Sequence, residues 1–254
     1  MHEWARRFLA SRAGKSDPFF LYYASPLPHF PYLPTPLNPD GPGRDESSKI
    51  RRMYGDMRNF PFLIEYLDRQ VGEIVKQVEE LGMRDDTLIV FAGDNGTPPW
   101  IVTEMRDGRC VKFGKGTMLD TGSWVPLIAR WPGRIAPESR TGQLVDFTDL
   151  LPTLIELAGG EPPPGLDGIS FVSRLLGRSG RTREWVHVRY VDKAFVRDAK
   201  WKLRETGELF DVSGAPYIET LVLPAQDTPA SREARLRLQP VLDSLYPAIS
   251  SARR

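Results

Sequence analysis

The 254-residue sequence predicts an α/β fold: a mixed or parallel sheet flanked by helices, followed by a small antiparallel sheet with a closing helix. Three observations predict it. Leu88-Ile89-Val90-Phe91-Ala92 is an unbroken apolar run that stops at Gly93-Asp94-Asn95-Gly96, the pattern of a strand buried on both faces. Runs of this kind alternate with amphipathic stretches at 61–81 and from 147 to 158, which carry apolar residues at helical spacing. After Pro162-Pro163-Pro164 the character shifts to short strand-like pieces separated by turns. The expected division places residues 1–180 in the α/β part and residues 181–254 in a small α+β subdomain.

Taken in order, Trp4 to Ala13 reads as a polar-faced helix, and Phe19-Phe20-Leu21-Tyr22-Tyr23-Ala24 as a buried aromatic strand. Ser25-Pro26-Leu27-Pro28-His29-Phe30-Pro31-Tyr32-Leu33-Pro34 is too proline-rich for helix or central strand, so it is a stiff loop. Residues 37–49 form a surface loop and 50–59 a helical turn. The stretch 61–81 places Leu63, Ile64, Leu67, Val71, Ile74, Val75, Val78 and Leu81 on one stripe, closed by Gly82. The strand 88–92 leads into a long glycine-punctuated loop, 93–123, which holds Gly114-Lys115-Gly116-Thr117. A second short strand, 125–130, ends at Trp131-Pro132-Gly133. Phe147, Leu150, Leu151, Leu154, Ile155 and Ala158 form the apolar face of another helix, capped by Asp146 or Thr148 and stopped by Gly159-Gly160. Strand-like pieces follow at 186–190, 194–196, 201–203 and 209–211, then an amphipathic helix at 229–246.

Composition narrows the function. Thirty-four basic and 33 acidic side chains give a net charge of +1, which argues against electrostatic capture of nucleic acid or anionic membrane. The apolar runs are too short to span a bilayer, and Met1-His2-Glu3-Trp4-Ala5-Arg6-Arg7 precedes no apolar leader core. A soluble chain without a signal peptide is expected, its compartment open. Cys110 is the single cysteine, which excludes an intrachain disulfide and a thiolate zinc site. Its charged neighbours and lack of a nearby histidine in sequence make it a passive thiol.

Three polar candidates stand on loops that follow strands: His29, the pair Asp94 and Asn95, and Lys115. Ligands of open α/β sheets bind beyond the carboxyl ends of strands. Each candidate also has a plainer reading. His29 reads as a packed, hydrogen-bonded ring, Gly93-Asp94-Asn95-Gly96 as an Asx-Gly turn, and Gly114-Lys115-Gly116 as a flexible turn with a solvated amine. Together they supply hard oxygens for a cation, a fixed ammonium and an imidazole. These are the groups a dianionic tetrahedral ester needs.

With these residues the sequence resembles the sulfatases, the formylglycine-dependent sulfuric ester hydrolases of the alkaline phosphatase superfamily. Pro18-Phe19-Phe20-Leu21-Tyr22 and Pro28-His29-Phe30-Pro31 resemble the family's strand and Pro-His-x-Pro loop. Glu65-Tyr66-Leu67-Asp68-Arg69-Gln70-Val71-Gly72 resembles its helix before the metal strand, and Gly93-Asp94-Asn95-Gly96 its metal-binding Asp-Asn-Gly. Gly114-Lys115-Gly116-Thr117, Val125-Pro126-Leu127-Ile128 and Arg130-Trp131-Pro132-Gly133 resemble the lysine loop and its strand. Asp149-Leu150-Leu151-Pro152-Thr153-Leu154, Gly165-Leu166-Asp167-Gly168 and Glu208-Leu209-Phe210-Asp211 also have counterparts. The resemblance runs in order from residue 17 to 215. It implies an alkaline-phosphatase-like sheet, with Asp94 and Asn95 as ligands to calcium, or less often magnesium. It also implies that Lys115 pairs with a sulfate oxygen and that His29 hydrogen-bonds the sulfate and protonates the leaving alcohol. The implied substrate is a small-molecule or glycan sulfate ester.

The sequence departs from the family pattern at several points. No Cys/Ser-x-Pro-x-Arg motif, the source of the formylglycine nucleophile, occurs in it. The family's amino-terminal Asp-Asp metal pair is missing too, as are the lysine and histidine between nucleophile and Pro-His-x-Pro loop. Trp124 stands where many members carry Arg or His, and Asp120 where Glu is frequent. The expectation is therefore a carboxy-terminal sulfatase portion lacking its first several strands, catalytically silent alone, holding calcium weakly or not at all. Its uncovered sheet invites self-association. Two other readings stay open: a phosphate or phosphonate ester hydrolase of the same superfamily, and a non-catalytic binding module.

Overall fold

The computed structural model describes residues 1–43, 47, 49–112 and 114–246. Two compact units divide the chain: residues 1–89 with 130–133, and residues 90–129 with 134–254. Residues 44–46 and 48, within the expected loop 37–49, and Phe113, within the expected loop 93–123, lie outside the described residues.

The first unit is built on helices. Helix α1 spans His2–Arg12, α2 spans Lys49–Tyr54 and α3 spans Phe60–Glu80. Pro61 sits in the first turn of α3, where its missing N–H costs nothing. Gly82, at φ +69°, ends the helix through its N–H to the Glu79 carbonyl. Ala5 and Leu9 of α1 and Leu63 and Val78 of α3 are buried, and the two helices pack together. Arg6 Nε donates to Gln77 Oε1 at 3.2 Å, and Gln77 Nε2 donates to the Arg6 carbonyl at 2.8 Å. The expected strand at 19–24 is not present. Phe20 and Tyr22 are 70% and 80% exposed, and the segment carries no strand pairing. A strand exists only where a neighbour takes its backbone donors and acceptors, and no described strand lies beside this one.

The second unit begins in β1 (Ile89–Ala92) and continues through β2 (Val102–Glu104), β3 (Cys110–Lys112), α4 (Asp120–Ser123) and β4 (Leu127–Arg130). Strands β1 and β4 form a two-stranded sheet, so both expected strands exist. They are not buried on both faces, however: Val90 and Leu127 are exposed and Ile128 is 59% exposed. With two strands and no described cover, one pleat face stays open. The expected loop 93–123 contains an antiparallel hairpin, with Val102 opposite Lys112 and Glu104 opposite Cys110. Asp146 caps a short 3-10 turn, Phe147–Asp149, that runs into α5 (Leu150–Leu157). Phe147 and Leu151, on the apolar face expected for this helix, are exposed.

A short α6 (Val172–Leu175) leads to five antiparallel strands in sequential order: β5 (Val186–Tyr190), β6 (Lys193–Arg197), β7 (Trp201–Arg204), β8 (Leu209–Gly214) and β9 (Ile218–Val222). Helix α7 (Pro229–Leu245) closes the unit, its amino terminus capped by Thr228. Ala194, Val196, Trp201, Leu203 and Leu209 of the sheet form one core with Ala234, Leu238 and Leu242 of α7. Because side chains alternate across a strand, Phe195, Arg197, Lys202 and Arg204 emerge on the opposite face. That face carries the charges that reach the site described next. Among the described residues, no helix is long and apolar enough to cross a membrane.

Candidate functional site

His29 lies on the first unit, exposed, in the proline-rich loop. Its backbone N–H donates to the Pro26 carbonyl at 2.9 Å. Its ring Nδ1 lies 2.8 Å from the Phe30 carbonyl. A carbonyl can only accept, so Nδ1 carries the proton and Nε2 is the atom left for other chemistry. The ring also packs on Phe30, with centroids 4.1 Å apart.

Asp94 and Asn95 leave the end of β1 on the second unit, both exposed. Both carboxylate oxygens of Asp94 accept from its neighbour: Oδ1 from the Asn95 backbone N–H at 2.8 Å and Oδ2 from Asn95 Nδ2 at 2.7 Å. The turn is tied to the lysine loop through backbone. Gly114 N–H and Lys115 N–H both donate to the Thr97 carbonyl, at 3.2 and 3.1 Å. Gly96 N–H donates to the Gly122 carbonyl at 2.9 Å. Within the lysine loop, Thr117 Oγ1 donates to the Gly114 carbonyl at 2.8 Å. The fold thus brings Asp94, Asn95 and Lys115 onto stapled neighbouring turns of one unit.

Glycine makes this approach feasible. A Cβ on Gly114 would fall 1.9 Å from the Thr121 carbonyl oxygen, and one on Gly96 would fall 2.0 Å from the same atom. Neither distance admits any side chain.

A charged cluster underlies the lysine loop, and sequence reasoning missed it. Arg197 and Lys202 are direct cross-strand partners on β6 and β7, a like-charge pairing that destabilises a sheet unless countered. Asp120, 1% exposed, is the counterion: one carboxylate oxygen meets Arg197 and the other meets Lys202. Lys202, completely buried, also donates to the Met118 carbonyl at 3.1 Å and to Glu219 Oε1 at 2.7 Å. Glu219 Oε1 in turn accepts from the Asp120 backbone N–H at 2.7 Å, and its other oxygen lies 3.5 Å from Arg204. The Arg197 guanidinium sits 5.2 Å over the Trp124 ring. The basic face of Trp201-Lys202-Leu203-Arg204 is visible in its alternation; the acids it meets lie 82 and 17 residues away and leave no local signal.

Asp94 and Asn95 offer the hard oxygens that calcium or magnesium prefers, but calcium takes 6–8 of them. Among the described residues no group of three or more His, Cys, Asp or Glu side chains gathers in a way that could hold a metal. Two residues with three side-chain oxygens suit the chemistry of the ion and do not fill its shell. Cys110 is exposed on β3 as a free thiol.

The fold and these turns define an α/β protein with two stapled polar turns at the end of a strand. Comparison with known proteins specifies it further. The Sulfatase family model matches residues 1–160. Arylsulfatase A of Bos taurus is 34% identical over 232 residues, covering 87% of this chain and 41% of the relative. An ulvan-active sulfatase of Formosa agariphila is 30% identical over 181 residues, covering 67% of this chain and 32% of the relative. The crystal structure of Ps i-CgsB superposes with a TM-score of 0.68 at 24% identity, covering 96% of this chain and 53% of that one. A phosphonate monoester hydrolase from Silicibacter pomeroyi gives 0.65 at 23% identity, covering 96% and 59%. The chain belongs to the sulfatase family, and its fold is alkaline-phosphatase-like. It spans about two fifths of the length of the arylsulfatase A it matches.

Proposed function

We propose that this chain carries the histidine, metal-turn and lysine-loop portion of a sulfuric ester hydrolase that acts on sulfated small molecules or glycans. The observation that carries the reading is the stapling of the Asp94-Asn95 turn to the Lys115 turn through Thr97, Gly96 and Gly122. It sets the residues that carry a carboxylate–amide pair and an ammonium on neighbouring turns, and an ammonium stabilises a tetrahedral oxyanion. In this reading Lys115 pairs with a sulfate oxygen and offsets charge that grows on the leaving oxygen. His29 Nε2, when protonated, is the donor to the leaving alcohol; Nδ1 is already committed to Phe30. Asp94 and Asn95 are partial ligands to calcium or magnesium.

The sequence holds no Cys/Ser-x-Pro-x-Arg motif, so it offers no precursor of the formylglycine nucleophile. The chain alone is therefore proposed to be silent toward sulfate esters. The test is an assay with a chromogenic aryl sulfate in calcium-containing buffer, comparing the chain with Lys115→Ala. No difference between the two is expected. Turnover by the chain that Lys115→Ala abolishes would refute the silence while supporting the role of Lys115.

The phosphonate monoester hydrolase neighbour favours a second reading, phosphonate or phosphate ester hydrolysis. Turnover of an aryl phosphonate by a chain that leaves the aryl sulfate intact would favour this second reading.

A further inference from the structure

We infer that Lys202, Asp120 and Glu219 are positioning residues for Lys115, so that the carboxy-terminal sheet sets where the lysine loop presents its ammonium. The inference rests on the reading of Lys115 given above as the anion-pairing residue, and concerns how that residue is held.

An ammonium has three donors. Lys202 donates two hydrogen bonds, to the Met118 carbonyl and to Glu219 Oε1, and its charge is paired with an Asp120 carboxylate oxygen. Completely buried, the ammonium does not face solvent. Two bonds of the cluster end on loop backbone rather than on side chains. Lys202 holds the Met118 carbonyl, and Glu219 holds the Asp120 N–H. These atoms lie three and five residues beyond Lys115. On the other side of the lysine the loop is fixed by the Thr97 carbonyl. Lys115 is thus held between two anchors.

Core filling does not explain the arrangement. Apolar residues of similar volume commonly stabilise as much as a buried ion cluster or more, yet they could hold neither a carbonyl nor an N–H. The cross-strand pair of Arg197 and Lys202 is unfavourable without Asp120. The sheet therefore carries a built slot for one loop carboxylate. Asp120 enters that slot, and its backbone follows.

The test uses the full chain and needs no turnover. Three variants are compared with wild type: Lys202→Met, Glu219→Ala in case the first fails to fold, and Glu219→Gln, which keeps an acceptor for the Asp120 N–H. Hydrogen exchange read by mass spectrometry should accelerate about tenfold or more across 114–123 in Lys202→Met and Glu219→Ala, with β5, β6 and α7 unchanged. Acylation of Lys115 by a limiting amine reagent, scaled to the exposed Lys76 of α3, should change more than about twofold. Glu219→Gln should restore both readouts most of the way. Equal acceleration throughout the sheet and α7 would mark the cluster as merely structural and overturn the inference. Unchanged exchange across 114–123 would overturn it as well. The ester assays test the proposed function separately, since neither exchange nor acylation depends on turnover.

Discussion

Replacing Gly114 by Ala tests how tightly the two functional turns are locked. The new methyl would lie 1.9 Å from the Thr121 carbonyl oxygen and 2.4 Å from Gly122 N, while ordinary contact begins at 3.4 Å. The facing backbone must therefore retreat by about 1.5 Å. Bonds beside the clash include Gly114 N–H and Lys115 N–H to Thr97, Gly96 N–H to Gly122, and Gly122 N–H to Leu119. Each contributes about 0.5–1.5 kcal/mol, so losing or stretching two or three removes roughly 1–4 kcal/mol. Alanine restricts the unfolded chain and returns about 0.4–1 kcal/mol. The net loss is about 1–3 kcal/mol, or a melting temperature lower by about 2–10 °C. Gly72→Ala is the matched control. It sits inside α3 and its Cβ meets nothing within 4 Å, so it should stabilise by about 0.5–1 kcal/mol. Circular dichroism melts of the two variants and wild type decide the matter. A Gly114→Ala protein that melts at or above wild type would refute the interlocked-turn argument.

Three further outcomes are expected. Asp149→Ala should destabilise by about 3–5 kcal/mol in urea denaturation, because it removes the buried carboxylate that pairs with Arg183 and accepts from Asp146 N–H and Ile169 N–H, at 2.8 and 2.7 Å. Burial, and next the Arg189 charge, push the His187 pKa below 6.5, with Asp146 opposing. The unfolded chain then binds the proton more readily, so stability should be full above pH 6.5 and fall as pH drops towards the depressed folded value. His187→Leu should flatten the decline in urea midpoint between pH 7.5 and 5. We also propose that the open β1–β4 face, with Ile128 59% exposed, drives self-association. Sedimentation velocity should show concentration-dependent oligomers that Ile128→Glu removes, and a monomeric wild-type chain would contradict the proposal.

Much of the architecture was legible because it is local. The stripe from Leu63 to Leu81 and the stop at Gly82 announce α3, which runs Phe60–Glu80. The alternation in Ala194-Phe195-Val196-Arg197 and Trp201-Lys202-Leu203-Arg204 announces β6 and β7, which pair as antiparallel neighbours. Strand burial was less legible, since it depends on neighbours that no window of sequence contains. Phe19 to Ala24 has every intrinsic preference of a strand, yet Phe20 and Tyr22 are exposed. The run 88–92 does form β1, but with one partner, β4. Residues 102–112 were hidden for the opposite reason. Charged residues around Gly108 look like loop, although the glycine's φ of +79° closes a hairpin turn.

The site divides along the same line. Asp94, Asn95 and Lys115 could be named because a glycine-flanked polar residue after an apolar run is a local pattern, and the stapled turns carry all three on one unit. What holds the lysine loop in place could not be named. Asp120 reads as one more loop acid until it is seen against Arg197 and Lys202, 77 and 82 residues on in the sequence. A departure from the family pattern acquires a physical meaning there. Aspartate, one methylene shorter than the frequent glutamate, bridges both cations while its own N–H reaches Glu219. Its carboxylate and backbone are therefore fixed by the same sheet face. Any longer side chain at 120 must lift that backbone away from β9 or fold back within the cluster. In either case the shift passes along the two residues to Met118, and from there along the loop that carries Lys115.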